Sequence, residues 1–473
     1  MIFAGITFLY WFLPIILIAY MVCPKQFRNG LLFLASLFFY AWGEPVYVLL
    51  MLFSTVVDFW HGKMIDKNRK AGKKGKARVF LVSSVIVNLS VLGFFKYAGW
   101  LVSLFNQWTG LSVPALNLAL PLGISFYTFQ TMSYSIDVYR GDAKVQNNII
   151  DFGMFVTLFP QLIAGPIVRY ADIESRIRNR RMSVEQLHKG LVRFCVGLGK
   201  KVLLANEIGK LWEMIVAMDA AHMPVLMGWL GMLAFGLQIY YDFSGYSDMA
   251  IGLGTVFGFE FPENFDHPYE SVSISEFFRR WHMTLQKWFA SYVYYPLGGN
   301  RRGLRRQIFN ILVVWALTGI WHGASGNFLV WGLYFAFWLI MEKVWLNKLF
   351  AKLPKTVSRV LGHVYTLVFV GIGWVFFTHT GLQEAFVYIG RTFGIGGVQQ
   401  AGAVGETAYW IGQYTGILAI GIVGATTLPL KLAKKVEKYR NNVVDAVFVA
   451  VVLLLCTAFL VDASYNPFLY FRF

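Results

Sequence analysis

His322 lies in Trp321-His322-Gly323, inside a run from Gln307 to Met341 that contains no Asp, Glu, Lys or Arg. A bilayer hydrocarbon core of about 30 Å is crossed by roughly 20 apolar residues. An ionisable side chain in such a stretch is costly and is a functional candidate by default. Burial disfavours the imidazolium, so His322 should be neutral and able to accept a proton, which is the chemistry of a general base. The plain alternative is a histidine that hydrogen-bonds a neighbouring helix. A second Trp-His pair stands at 281–282, after Phe277-Phe278-Arg279-Arg280. Aromatic residues alternating with a basic pair predict an amphipathic helix at or dipping into the membrane interface. Ser273 and Glu276 have capping-box spacing at its start. His282 is either a second reactive group or an incidental member of an anchor helix.

Gln238, Asp242, Ser244 and Asp248 place polar groups and two carboxylates inside an otherwise apolar run. Helical spacing pairs Gln238 with Asp242 and Ser244 with Asp248. They are candidates for the polar lining of a tunnel, or for a structural network between helices. No GxSxG surrounds Ser244, so no serine nucleophile is nominated. In Leu297-Gly298-Gly299-Asn300-Arg301-Arg302, glycines beside arginines could let Gly298, Gly299, Arg301 and Arg302 approach phosphate. A basic turn at the membrane surface is the equal alternative. The motif of a nucleotide-hydrolysing P-loop is absent. No histidines have metal-ligand spacing, so no metal site is expected.

These residues need a scaffold, and the composition supplies it. The 473-residue chain is 57% hydrophobic and 14% charged, against about 25% charged in soluble domains. It reads as an all-α, polytopic membrane protein made of one domain, residues 1–473. Apolar runs predict about 11 or more transmembrane or re-entrant helices. Breaks are expected at Gly43-Glu44-Pro45 and between Gly323 and Asn327. Residues 3–22 read as a retained span, not a cleaved signal. Basic clusters at 61–78, 169–193, 300–306 and 431–440 should face the cytoplasm. A last span, 442–462, then carries the aromatic tail, 464–473, outside. The net charge of +17 follows this pattern, which points to anionic membrane lipids and away from nucleic acid. Cys23, Cys195 and Cys456 form no disulfide pattern and should be free thiols.

Several stretches together carry a family resemblance: PLGISFY (121–127), SYSIDVYRG (133–141), FPQLIAGP (159–166), YDFSGYSDMAIG (241–252), EFFRRWH (276–282), LGGNR (297–301) and GIWHG (319–323). The chain resembles the membrane-bound O-acyltransferase (MBOAT) family, in its bacterial alginate O-acetylation branch, with the core motifs within 121–345. The resemblance implies helices around a tunnel and O-acyl transfer in the cytoplasmic (inner) membrane. It places the family's essential histidine at His322 and a second characteristic position at His282. No permanently bound cofactor is implied; acetyl-CoA is the expected cytoplasmic donor. The expected partner is a secreted or membrane-anchored SGNH-type, esterase-like transferase that modifies a polysaccharide. On this basis His322 would deprotonate the acceptor hydroxyl, His282 would orient the thioester or stabilise the oxyanion, and the Gly298–Arg302 turn would hold the CoA phosphates.

The tail also resembles tails of related cell-wall acylation systems, which makes Tyr470 a candidate acyl relay. An aromatic interface anchor is the alternative. Two neighbouring activities stay open: peptidoglycan O-acetylation and teichoic-acid D-alanylation. A proton-coupled transporter is the rival class, since intramembrane carboxylates and broken helices also suit a carrier.

Overall fold

A computed structural model describes residues 1–114, 116, 118–218, 223–395, 403–436, 441–462 and 469. Among these, the regular elements are helical. The chain divides into two compact units, Met1–Gly197 with Tyr246–Pro262, and Leu198–Gly245 with Glu263–Phe473.

The helices are apolar on the outside. Trp11, Ile18, Leu34 and Phe38 are exposed, while Asp58, Ser84 and Asn88 are buried. This inversion of the soluble pattern fits a lipid surroundings, in which polar groups must be satisfied within the protein. Five described helices are long and apolar enough to cross a membrane: Tyr47–Lys70, Lys74–Thr109, Gly326–Phe350, Lys355–Thr378 and Asn442–Asp462. A sixth arises if Thr407–Gly424 and Leu428–Lys435, bent by 74°, form one broken span. The expected 11 or more is therefore not reached by this measure. Several apolar runs are divided into shorter pieces. Residues 150–168 become Ile149–Thr157 and Phe159–Leu162, and residues 190–217 become Val184–Gly199, a π-helical turn Lys200–Ala205, and Asn206–Val216. The basic stretch 61–78 is mostly helical too, closing Tyr47–Lys70 and opening Lys74–Thr109.

In the first unit, Arg28–Ala41 stops just before Gly43-Glu44-Pro45 and Tyr47–Lys70 begins just after it, at the expected break. Asp58 anchors this unit: its carboxylate accepts from Ser84 Oγ at 2.6 Å and from Asn88 Nδ2 at 2.7 Å. Thr131 Oγ1 in turn donates to Asn88 Oδ1 at 3.0 Å. Gly62 permits the close approach of Tyr134, whose ring would lie 2.5 Å from an added Cβ. Three helices are thereby tied around one satisfied carboxylate.

The second unit is organised around the helices Gly303–His322 and Gly326–Met341, separated at the other expected break. They cross closely because Gly332 faces Gly319, with Gly319 Cα 3.2 Å from the position a Gly332 Cβ would take. Small residues at a crossing allow backbones to approach. An aromatic core surrounds the pair. Phe277 stacks on Trp281 (5.5 Å between centroids), Trp281 meets Trp374 (4.9 Å), and Phe278 meets Phe335 edge-on (4.7 Å).

Candidate active site

The segment expected at the interface is instead largely buried. Ile274–Arg280 and Met283–Phe289 are short helices with His282 between them, and Phe277, Phe278, Trp281 and His282 are all core residues. Their side chains found aromatic partners within the protein, so the aromatic-basic pattern marks a core-facing edge. Ser273 caps the first helix as expected, accepting from Glu276 N at 3.0 Å. The reciprocal arm reaches one residue further back, since Glu276 accepts from Val272 N at 3.1 Å. The carboxylate of Glu342, which is buried, also holds this helix start. It accepts from the backbone N–H groups of Ile274 (2.5 Å) and Ser275 (2.9 Å) and from Ser275 Oγ. An anion at a helix N-terminus is favourable because the first N–H groups lack partners within the helix.

His282 has φ 45° and ψ 51°, in the left-handed region, a conformation that costs of order 1 kcal/mol for a non-glycine residue. Asn264 holds it there. Asn264 O accepts from Met283 N at 3.0 Å, and Asn264 Oδ1 accepts from Thr284 N at 3.2 Å and Thr284 Oγ1 at 2.8 Å. The same Oδ1 lies 3.1 Å from His282 Nδ1. A backbone N–H can only donate, so this atom of Asn264 is the oxygen, and Nδ1 must carry the proton. Nε2 then presents a lone pair, and it has no hydrogen-bond partner among the described residues. Burial pushes the imidazole well below the ordinary histidine range, to about 3. His282 is thus a neutral, oriented acceptor. The oxyanion-stabilising role would need a donor at Nε2, which this tautomer lacks. Orienting a thioester, or accepting a proton, remains compatible.

His322 ends its helix and is buried. Its ring is surrounded edge-on by Trp321, Trp331 and Phe377, at 4.9, 5.0 and 5.2 Å between centroids. Trp321 also lies 6.1 Å from the His282 ring, so one indole neighbours both imidazoles.

Both histidines line a single cavity of about 760 Å³, a volume typical of small-molecule sites. Asp242, Trp331, Trp374, Phe377 and Leu469 line it beside them, and Ser273, Ser275, Arg279, Lys343 and Asn347 complete a polar portion. Arg279, Lys343 and Asn347 are exposed, which marks the cavity's mouth. Among the described residues, Arg279 and Lys343 have no ion-pair partner, whereas the adjacent Arg280 is bound to Glu276 at 2.6 Å.

The other sequence candidates are distributed differently. Of the polar group at 238–248, only Asp242 lines the cavity. Gln238 and Ser244 are buried elsewhere, and Asp248 is bound by Arg193, with Nη2 at 2.9 Å. The Gly298–Arg302 turn does not line the cavity. Its glycines have positive φ, 104° and 57°, and Gly299 O accepts from Asn310 Nδ2 at 2.8 Å. The turn ties the His282 segment to the His322 helix, with Arg301 and Arg302 exposed. Tyr470 lies outside the described residues. Cys23, Cys195 and Cys456 are free thiols, and no group of three metal-ligating side chains occurs among the described residues.

Sequence reasoning missed Asn264, Lys343 and Glu342. Glu342 had a usable signal, as a charge beside an apolar run. Asn264, in an ordinary polar loop, had none.

Comparison with known proteins supplies the remaining context. Residues 145–382 match the model of the membrane-bound O-acyltransferase family, MBOAT. The chain is 41% identical to the probable alginate O-acetylase AlgI of Pseudomonas aeruginosa over 84% of its own length and 75% of the relative's. It is 36% identical to that of Pseudomonas putida over the whole of both chains. It is 30% identical to the peptidoglycan O-acetyltransferase of Helicobacter pylori, over 98% of this chain and 96% of that one.

Proposed function

Because the chain belongs to the membrane-bound O-acyltransferase family, and is thus a multi-pass membrane acyltransferase of O-acetylation, we propose that it passes acetyl groups from a cytoplasmic thioester to an extracytoplasmic polysaccharide. The donor in this reading is acetyl-CoA, the membrane is the cytoplasmic one, and the final acceptor is an alginate-like exopolysaccharide. A secreted or membrane-anchored SGNH-type transferase collects the acetyl group and delivers it to the glycan.

The observation that carries this reading is one cavity lined by His282 and His322 whose mouth holds two cations, Arg279 and Lys343, with no carboxylate partner among the described residues. A phosphorylated donor would place its anionic groups against Arg279 and Lys343 and extend its thioester inward. Guanidinium and ammonium groups suit phosphate by charge and hydrogen bonding. The assignment moves the phosphate contacts from Arg301 and Arg302 to the mouth of the cavity.

In the transfer itself, the acceptor hydroxyl oxygen attacks the thioester carbonyl carbon while His322 takes its proton. Collapse of the tetrahedral intermediate breaks the carbon–sulfur bond, and the imidazolium returns the proton to the departing thiolate. The products are the O-acetyl ester and the free thiol. His282 Nε2 accepts a hydrogen bond from a donor amide or from the attacking hydroxyl and so fixes the approach. Tyr470 is the candidate acceptor within the chain, forming an ester that the partner then collects.

The test uses the full-length protein in nanodiscs with radiolabelled acetyl-CoA and its partner transferase. Acetyl label should reach the partner or glycan and be lost in His322→Ala. Solute flux in proteoliposomes without any acyl transfer would instead identify a carrier. Replacing the glycan acceptor by peptidoglycan decides between the two polysaccharide classes represented among the relatives.

A further inference from the structure

Lys201 and Asp242 form an ion pair at 2.6 Å, with each side chain only 4% exposed. Taking two charges out of water is unfavourable, and an apolar pair of similar volume commonly serves stability as well or better. The pair therefore calls for a role beyond holding the fold. The second oxygen of Asp242 accepts a hydrogen bond from the backbone N–H of Leu469 at 2.9 Å. Leu469 is 4% exposed, and a buried N–H needs such a partner. Asp242 and Leu469 both line the histidine cavity. The neighbour of Asp242, Phe243, packs edge-on against His282 at 4.7 Å between centroids. Lys201 projects from a π-helical turn, Lys200–Ala205, an irregularity frequent at functional sites.

We infer that Lys201 and Asp242 are a docking post for Leu469, which they seat as a wall of the active-site cavity. Asp242 is the positioning residue: one oxygen is held and charge-balanced by Lys201, and the other captures the Leu469 N–H. The inference deepens the proposed transfer and rests on it for its consequence, since Tyr470 is the next residue in the chain. Seating of Leu469 can nevertheless be read without any acyl transfer.

The experiment places a cysteine at Leu469 of the full-length protein in nanodiscs and follows maleimide labelling of that site by mass spectrometry, which separates it from Cys23, Cys195 and Cys456. With the post intact, labelling should be slow. In Lys201→Met with Asp242→Leu, which replaces the pair by apolar side chains, it should quicken at least 10-fold while the thermal midpoint stays within a few degrees of the parent. Unchanged labelling in the folded double variant overturns the inference. A second pair of variants leaves the post untouched: Leu469→Pro removes the N–H, and Leu469→Ala keeps it. Where the parent transfers acetyl, transfer should fall at least 10-fold further in Leu469→Pro than in Leu469→Ala, and equal rates in the two then overturn the inference; a parent without transfer refutes the proposed reaction and leaves the labelling result to decide the post. Quickened labelling together with normal acetylation in Tyr470→Phe would uphold the post and refute the relay.

Discussion

Asn264 fixes the proton of His282. Its Oδ1 takes the backbone N–H of Thr284 at 3.2 Å and His282 Nδ1 at 3.1 Å, which leaves Nε2 as the acceptor in the cavity. An oriented imidazole with a defined tautomer is the arrangement general-base and hydrogen-bond-accepting roles require.

This relationship predicts a pH signature. With its imidazole pushed to about 3, His282 stays neutral from pH 5 upward and adds no acid limb there. In Asn264→Asp, a carboxylate beside Nδ1 favours the imidazolium and raises the value. Transfer should then fall as pH drops through the raised value, because the acceptor form is lost. Initial rates between pH 5 and 8 for parent and variant check this, and superimposable profiles would refute it.

His322→Ala should lower the turnover rate by about 10²–10⁴-fold, the usual contribution of a general base. Folding should persist, because Trp331 and Phe377 also pack on one another, at 5.3 Å between centroids. Size-exclusion profiles and thermal midpoints beside the acetyl-transfer rate separate the two effects.

Arg279→Ala and Lys343→Ala should each raise KM for the phosphorylated donor about 10-fold, consistent with loss of a charged hydrogen bond worth about 1.5–3 kcal/mol, with a smaller effect on kcat. The paired change in Arg301→Ala and Arg302→Ala should be smaller. Steady-state kinetics at two salt concentrations decide it, since weakening by salt marks an exposed charge contact.

Gly332→Ala should destabilise the second unit. Its Cβ would fall 2.3 Å from Trp315 O, a backbone atom that cannot rotate aside. Overpacking of this kind typically costs about 1–3 kcal/mol, visible as a lowered thermal midpoint. Gly326→Ala, where an added Cβ meets nothing within 4 Å, provides the comparison.

Local rules in the sequence reached much of this fold. Proline and glycine marked the breaks before Tyr47 and after His322, and the serine cap at Ser273 stood at a legible helix start. The two Trp-His pairs led to residues that share a cavity. Periodicity could not say that Phe277 and Phe278 would find protein in place of headgroups, because an aromatic face fits either surroundings. Nor could spacing assign Asp248 to Arg193, which lies far away in the chain. Asn264 acts through its backbone carbonyl and one side-chain oxygen, and nothing in its sequence neighbourhood distinguishes it from any loop asparagine. The count of 11 or more transmembrane or re-entrant helices is not confirmed, since several apolar runs are made of shorter helices and hydropathy measures composition and not continuity.

Leu469 as a lining residue has a consequence for biogenesis. Domains fold as the chain emerges, at about 5–20 residues per second. The preceding lining residue, Phe377, therefore leaves the ribosome several seconds before Leu469 does. Throughout that interval the histidines can be in place while the compartment around them is still open on one side. The wall that Leu469 adds to this cavity is therefore made later than every other lining residue, and a chain stalled before it would carry the two histidines in a compartment one residue short of its full lining.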